Sequence, residues 1–253
     1  MTLKLNVTLP GSGYPNISEF IVETPDNIFA DLPVTEKLIG AYFLSSQNSS
    51  PLTNFADNTQ NLAAVGSPVL GSQYATLNRA NHYDTGLVPG VESSIVTVSL
   101  MADAVTGGMV VANFYTNQSD SLNYGSSVQV ANNVFTARES GGSGPSISAA
   151  YNFGSDVPAG SMAIGTMNVT NNAVAVGFFK PTDETLAISS TVIPTRRKSD
   201  RSLLIGATYS DTVFLGDSHP SIVLIYNQSL KSADVLLISK YLKNVFGARY
   251  GLF

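Results

Sequence analysis

The sequence predicts an all-β fold of curved antiparallel sheets with one short helix at the C-terminal end. Between residues 94 and 227, short runs with one apolar face are separated by turn residues, at the roughly 8 to 12 residue spacing typical of sandwiches and barrels. Charged residues make up 12% of the 253 residues, about half of the roughly 25% found in an average soluble domain. A chain of this length and composition suits one large β domain whose surface is wetted by Ser, Thr, Asn and Gly.

Several runs have the two-residue period of β-strands. Apolar and polar side chains alternate in residues 94–100 and 147–153, which gives each run one apolar face. Residues 173–178 place large apolar groups on one face and small ones on the other, which predicts a central strand covered on both sides. The parity of the apolar residues changes at Gly165 and Thr166, which predicts a β-bulge that bends the sheet.

The helix is predicted from one apolar stripe near the C-terminus. The stripe consists of Val235, Ile238, Leu242 and Val245. This spacing is that of one face of an α-helix. Ser232 is placed to cap its N-terminus and Gly247 to end it, so we expect a helix packed on the body of the protein.

Residues 1–35 are predicted to form an N-terminal arm or docking segment, and residues 36–253 the sandwich. The arm has two short apolar runs separated by Pro and Gly, and it is too small to hold a core of its own. It is expected to lie on the main domain, on a partner subunit or on a larger assembly, since terminal extensions are also commonly edge strands. Without a bilayer-spanning apolar run or a signal-peptide pattern, the chain is expected to be complete, soluble and without a signal peptide.

Composition excludes several classes of function. The absence of Cys excludes disulfides, thiolate metal sites and cysteine nucleophiles. Two His residues, His82 and His219, give almost no material for a zinc site. A net charge of −5 argues against nucleic-acid binding, which depends on Lys and Arg.

The acidic residues offer little for catalysis. Asp183 and Glu184 are adjacent, so on a strand they would face opposite sides, and a solvated turn is the favoured interpretation. Asp217 and His219 follow a predicted strand and could supply one or two ligands of Ca²⁺. The alternative, that they shape a loop, is favoured for an isolated Asp-x-His.

Basic residues are concentrated in one stretch. Arg196, Arg197, Lys198 and Arg201 hold four of the 13 basic residues. Such a concentration is suited to an anionic polysaccharide, a phosphate or an acidic neighbouring subunit, although a solvated loop is the favoured alternative.

Tyrosines supply the candidate sugar contacts, because the chain contains no Trp. Tyr74, Tyr83, Tyr115, Tyr124 and Tyr209 lie in or beside segments with loop character. Their rings are suited to stacking on a sugar face, although packing at the rim of the fold is an equal alternative. The predicted ligand-binding set consists of Tyr83, Tyr115, Tyr124, Arg196, Arg197 and Tyr209.

The C-terminal third resembles a known family. Residues 212–217, then the apolar run 221–230 ending Tyr-Asn-Gln-Ser-Leu, then the helix, resemble the closing segment of concanavalin A-like lectin/glucanase (laminin G-like) domains. Residues 37–43 resemble the opening strand of that family, and residues 78–83 fall where an early strand would cross the sheet. The resemblance covers residues 36–253 and implies a jelly-roll sandwich of two curved antiparallel sheets. The glucanase carboxylate motif is missing, so activity is not implied.

Domains of this kind resemble those of phage tails and other virions. The resulting expectation is a non-enzymatic virion protein, most directly of the tail, that binds host-surface glycan or neighbouring subunits and forms homo-oligomers. The arm would contact other virion proteins, with no nucleic-acid partner and no membrane insertion. A decoration protein without a glycan ligand and a polysaccharide depolymerase using Asp217, His219 and Arg201 are the alternatives.

Overall fold

The computed structural model describes most of the chain. The described residues are 29–101, 107–141, 146–154, 156–158, 160–210 and 214–253, with the backbone of 4–5 and 20–21. Predicted turns that include residues 106, 142–145 and 159, and the first two residues of the 212–217 segment, lie outside them. Two antiparallel sheets pack face to face, and a C-terminal helix covers the outer face of one. The all-β prediction is confirmed.

The described residues form 19 strands. In chain order they are β1 (Lys4–Leu5), β2 (Phe20–Ile21), β3 (Leu38–Phe43), β4 (Ala63–Val65), β5 (Val69–Leu70), β6 (Ala75–Thr76), β7 (His82–Asp84), β8 (Ser93–Leu100), β9 (Gly108–Ala112), β10 (Tyr115–Thr116), β11 (Asn123–Tyr124), β12 (Ser126–Ala131), β13 (Val134–Glu139), β14 (Ile147–Asn152), β15 (Met162–Val169), β16 (Ala173–Lys180), β17 (Thr185–Val192), β18 (Leu204–Ile205) and β19 (Pro220–Tyr226). The sheets have the orders β14-β13-β12-β9-β18-β7-β4 and β17-β16-β15-β8-β19-β3, and the pairs β1-β2, β5-β6 and β10-β11 lie outside both.

The main core lies between the two sheets. The ring of Phe178 on β16 lies 5.2 Å from that of Tyr151 and 5.4 Å from that of Phe153, and all three belong to one apolar cluster with residues of both sheets. Strand β16 pairs with β15 and β17, so the predicted interior position of residues 173–178 is confirmed. β8 and β19 are neighbouring interior strands of the six-stranded sheet and are buried along almost their whole length.

The predicted bulge at Gly165 and Thr166 is wrong. Strand β15 pairs with β8 in one unbroken register from Met162 to Val169. Met162 packs under the C-terminal helix, and Val169 packs between the sheets. The apolar residues switch faces along β15 because one end of the strand is covered by the helix on its outer face, whereas the other end packs on its inner face against the second sheet. Register shifts occur instead in β12 and β19.

The C-terminal helix differs from the prediction at both ends. α1 (Ser232–Tyr241) continues into a π-helical segment (Leu242–Gly247) and α2 (Ala248–Tyr250), and Gly251, at φ 61°, ends it. Lys231, rather than Ser232, precedes the first turn, without a side-chain cap. The wider π turn places Phe246 in the core and leaves Val245 37% exposed. No helix in the described ranges is long and apolar enough to span a bilayer.

Two apolar residues of the predicted arm contact the sandwich. Phe29 is 4% exposed and Leu32 is 5% exposed. The Phe29 ring lies 5.2 Å from that of Phe55 and 5.0 Å from that of Phe246. Residues 29–35 are therefore anchored to the helix-covered side of the sandwich, while the division at residue 35 stays a prediction.

Candidate functional site

Five side chains from two distant parts of the chain meet at one end of the seven-stranded sheet. The Tyr124 ring lies 5.3 Å from the Tyr115 ring at 17°. The Arg201 guanidinium carbon lies 4.1 Å from the centre of Tyr115 and 4.8 Å from that of Tyr209. The Arg197 guanidinium lies 6.0 Å from the centre of Tyr124. We call Tyr115, Tyr124, Arg197, Arg201 and Tyr209 the Tyr–Arg cluster. All of them except the exposed Arg201 are half-buried.

A short hairpin positions the two stacked tyrosines. β10 follows β9 after two residues, and it pairs with β11 so that Tyr115 lies opposite Tyr124. Rings directly opposite each other on an antiparallel pair are close enough to stack. Gly125 follows with φ 89°, and a Cβ there would lie 2.5 Å from the carbonyl oxygen of Asn113. Glycine is required at this position, where the hairpin joins β12.

Hydrogen bonds join the arginine segment, residues 196–201, to the hairpin. The N–H of Gly125 donates to the carbonyl of Arg197 at 2.9 Å, and the N–H of Arg197 donates to that of Ser140 at 2.9 Å. The Nε of Arg197 donates to the carbonyl of Asn123 at 2.8 Å, and the buried Asn113 amide donates to the carbonyl of Arg201 at 3.3 Å. These hydrogen bonds fix the position of Arg197 and Arg201 relative to the hairpin that carries the two stacked tyrosines.

Tyr209 is held by a chain of hydroxyl bonds. Its hydroxyl lies 2.9 Å from that of Ser202, which donates to Asp84 at 2.6 Å. The backbone N–H of Tyr209 donates to the carbonyl of Phe114 at 3.1 Å, next to Tyr115 in sequence. The ring is therefore fixed from both ends beside Arg201.

Asp120 in the hairpin loop is bonded to neutral donors. Its carboxylate accepts from the N–H of Leu122 at 2.9 Å and from the hydroxyl of Tyr124 at 2.8 Å. These two bonds, the backbone one first, hold the pKa of Asp120 below its usual value. The same bond raises the pKa of the Tyr124 hydroxyl, so this pair keeps its charge state around neutral pH.

Arg196 lies beneath the cluster rather than in it. Its side chain is 7% exposed, and its Nε lies 3.2 Å from a carboxylate oxygen of Glu139, whose side chain is fully buried. The other Glu139 oxygen accepts from the Ser126 hydroxyl. Ser126 and Glu139 are directly paired across β12 and β13. Arg196 therefore anchors the segment that carries Arg197, and its predicted ligand role is wrong because the guanidinium does not reach the surface.

Tyr83 is also outside the cluster. It lies on β7, opposite Ala64 and Ile205 of the neighbouring strands, and it is 3% exposed within the core between the sheets. A ring buried in this way has no face for a sugar, so the predicted ligand role of Tyr83 is wrong. Its loop character in the sequence came from polar neighbours that point to the other side of the strand.

Asp217 and His219 lie at the opposite end of β9. The backbone at Asp217 approaches Gly108, the first residue of β9, whereas the Tyr–Arg cluster follows its last residue, roughly 13 Å away along a five-residue strand. Asn78 donates to Asp217 at 2.9 Å, and the His219 ring lies 5.1 Å from that of Tyr74. In the part of the chain that the structure describes, no group of three His, Asp or Glu is arranged to hold a metal. The calcium site stays a prediction.

The distance between Asp217 and the Tyr–Arg cluster argues against the predicted catalytic set. Arg201 lies in the Tyr–Arg cluster, so the set of Asp217, His219 and Arg201 does not form one site. Asp183 and Glu184 lie in the turn between β16 and β17, and Glu184 is paired with Lys240 and Lys243 of the helix. This confirms their interpretation as turn residues.

Two hollows lie elsewhere on the surface. One of about 580 Å³ lies between residues 29–38 and 53–58, and another of about 180 Å³ lies between β15, β16 and the start of α1. Apolar and uncharged polar side chains dominate both linings. The Tyr–Arg cluster lines neither hollow, and its assembly of guanidinium and phenol groups is what makes it the candidate site.

Comparison with known proteins shows the fold. No protein-family model and no curated protein sequence matches the chain. It is similar in structure to the receptor-binding domain of botulinum neurotoxin D, with a TM-score of 0.58 and 10% identity over 81% of this chain and 53% of that one. It is also similar to the binding domain of botulinum neurotoxin DC in complex with SialylT, with a TM-score of 0.58 and 9% identity over 83% and 52%.

A third similar structure is the ligand-binding domain of botulinum neurotoxin serotype D in complex with N-acetylneuraminic acid. Its TM-score is 0.59 at 10% identity, over 82% of this chain and 51% of that one. The chain thus spans about half the length of these structures. Identities this low show a shared β-sandwich fold, which agrees with the lectin-like sandwich that the sequence resembles.

Proposed function

We propose that this protein binds glycan through the Tyr–Arg cluster and does not transform it chemically. The observation that carries the proposal is the meeting of three tyrosines with Arg197 and Arg201 at a partly exposed surface held by hydrogen bonds. Partly exposed phenol and guanidinium groups offer several donors and partly apolar surface at low entropic cost. The carbohydrate complexes of two similar structures support glycan as the ligand class.

We place this binding in a phage virion, most directly in the tail. The support is the resemblance of residues 36–253 to domains found in such particles, with a Cys-free composition that is low in charge. In this proposal residues 1–35 contact other virion proteins, and the sandwich faces the host. A homo-oligomer would increase the avidity of an open site for a repeating surface polysaccharide.

The test is binding of the purified protein to a panel of bacterial surface polysaccharides, with the glycans followed for cleavage. We expect binding without cleavage to at least one polysaccharide, and a loss of roughly tenfold or more in affinity when Tyr115 and Tyr209 are both replaced by Ala. Tyr74→Ala, at the far end of β9, is the matched control and should keep full affinity.

Three results would contradict the proposal. Cleavage of a bound glycan would favour the depolymerase. No binding to any polysaccharide by a well-folded protein would favour the structural or decoration protein. Loss of binding in the presence of a chelator would place the site at Asp217 and a calcium ion instead of the Tyr–Arg cluster.

Glycan binding by the cluster is expected to be constant between about pH 5 and 8.5. The lowered pKa of Asp120 keeps its bond to Tyr124 intact above the usual carboxyl pKa near 4, and that bond is lost as the pH falls through the lower folded-state value. Hydrogen bonding raises the pKa of Tyr124, and burial raises that of Tyr209, so neither phenol ionises in this range. Affinity measured against pH should fall below about pH 4. A transition near pH 6 would instead indicate a histidine-dependent site.

A further inference from the structure

We propose that Arg201 recognises a carboxylate of an acidic sugar edge-on, and that Tyr115 and Tyr209 act as positioning residues that hold this guanidinium. This inference rests on the proposed function and names the ligand group that the cluster selects. It differs from the expectation drawn from the sequence, in which the tyrosine rings themselves stack on a sugar.

The ring contacts argue against a stacked sugar on Tyr115. That ring is engaged by Tyr124 at 5.3 Å and by the guanidinium carbon of Arg201 at 4.1 Å. Tyr209 is engaged by the same guanidinium at 4.8 Å. Aromatic and cation–π contacts of this kind use the faces of the rings, so little ring face is left for a pyranose.

The guanidinium of Arg201 keeps its edge for a ligand. Arg201 is exposed, and its backbone, not its side chain, takes the bonds from Asn113 and Ser199. Among the described residues, no carboxylate lies within ion-pairing distance of its side chain. A guanidinium that contacts aromatic faces still presents its N–H groups in the plane, in the fork that matches a carboxylate.

Two carboxylates that bond to members of the cluster or to their partners, Asp120 and Asp84, are engaged by other groups. Asp120 accepts from Leu122 and Tyr124, and Asp84 accepts from Ser202 and Gly86. Both carboxylates thus accept hydrogen bonds from uncharged groups. This arrangement orders the tyrosines and leaves the positive charge of Arg201 available for an anion.

Carboxylate selectivity also predicts that lysine cannot replace Arg201. Lysine keeps the charge but has no planar fork and a weaker stacking interaction with tyrosine. A bidentate site therefore distinguishes the two residues, whereas a site of general positive charge does not. Loss of Tyr115 should also weaken carboxylate binding, because Arg201 then loses the ring that lies 4.1 Å from its guanidinium carbon.

The experiment measures binding of the full-length protein to paired probes. The pairs are methyl glucuronide with methyl glucoside, galacturonate with methyl galactoside, and sialyllactose with lactose, followed by ligand-observed NMR and calorimetry. We expect the acidic member of at least one pair to bind tenfold or more tightly than its neutral partner. Arg201→Ala and Arg201→Lys should each weaken the acidic probe by roughly 10- to 100-fold, so that its preference over the neutral partner is lost.

Arg249→Ala, an exposed arginine on the C-terminal helix, is the matched control and should bind as the wild type does. Tyr115→Leu should weaken the acidic probe without unfolding, as monitored by thermal denaturation. Inorganic phosphate and sulfate are added as competitors, and competition at millimolar concentration would show a general anion site and overturn the carboxylate assignment.

The failures of the two proposals are distinguishable. Equal or tighter binding of the neutral probes, or full affinity in Arg201→Lys, would overturn the role of Arg201 and leave glycan binding standing. Absence of binding to every paired probe, with binding to a polysaccharide of the wider panel, would also overturn it. Absence of binding to both sets would contradict the proposed function itself.

Discussion

Replacing Arg196 by Met is expected to destabilise the fold by about 3–5 kcal/mol at pH 7, because it leaves the fully buried carboxylate of Glu139 without its countercharge. The Ser126 hydroxyl and the backbone of Ser140 still hydrogen-bond to Glu139, but neutral donors do not offset burial of a charge. The free energy of unfolding, from urea titration of wild type and variant, measures the loss.

Two controls separate this cause from simple loss of packing. Burial is the largest cause that raises the pKa of Glu139, and loss of Arg196 raises it further, so the variant should regain stability relative to wild type as the pH falls. The double variant Glu139→Gln with Arg196→Met should recover most of the loss at pH 7. A loss below about 1 kcal/mol, or no recovery in the double variant, would show that the pair is not the anchor of the arginine segment.

Deleting residues 1–33 is expected to destabilise the sandwich by about 5 kcal/mol relative to deleting residues 1–28. The longer deletion removes Phe29 and Leu32, which are buried against the helix-covered side of the six-stranded sheet, and loss of such side chains costs about 2–5 kcal/mol each. Thermal and urea unfolding of the two truncated proteins give the difference.

A full-length variant with Phe29→Ala and Leu32→Ala is the control for this comparison. It should lose nearly as much stability as the longer deletion, because the contacts of Phe29 with Phe55 and Phe246 are lost in both. Equal stability of the two deletions would show that these side chains do not support the sandwich. If the shorter deletion abolishes subunit assembly while folding is kept, the proposed docking role of the arm gains its first support.

The fold was predictable because alternation and turn residues are local signals. The apolar runs at residues 38–43 and 220–226 both form strands of the six-stranded sheet, the first at its edge and the second beside it in the interior. The regular register of β15 was not predictable from the sequence. Its apolar residues change from one face to the other because the C-terminal helix covers the outer face at only one end of the strand. The π-helical segment likewise follows from how Phe246 packs, which no local spacing encodes.

The candidate site was predictable in residue type but not in detail. Tyr115 and Tyr124 flank a short polar loop, so their hairpin pairing follows from the sequence. Tyr83 has similar neighbours but is buried, because its side of β7 faces the core between the two sheets. Arg196 and Arg197 are adjacent, so an extended backbone directs one inward and the other towards the surface, and their order could be assigned only with the position of Glu139 known.

The measurement that tests the central claim most directly is the mapping of backbone amide shifts in the full-length protein during titration with a bound glycan. The account predicts that the perturbed amides cluster at residues 113–125 and 196–209, and that Arg201→Ala removes these changes. Perturbations centred on Asp217 and His219, on the hollow beside residues 53–58, or on the outer face of β15 and β16 would contradict it, because they would place the ligand away from the Tyr–Arg cluster.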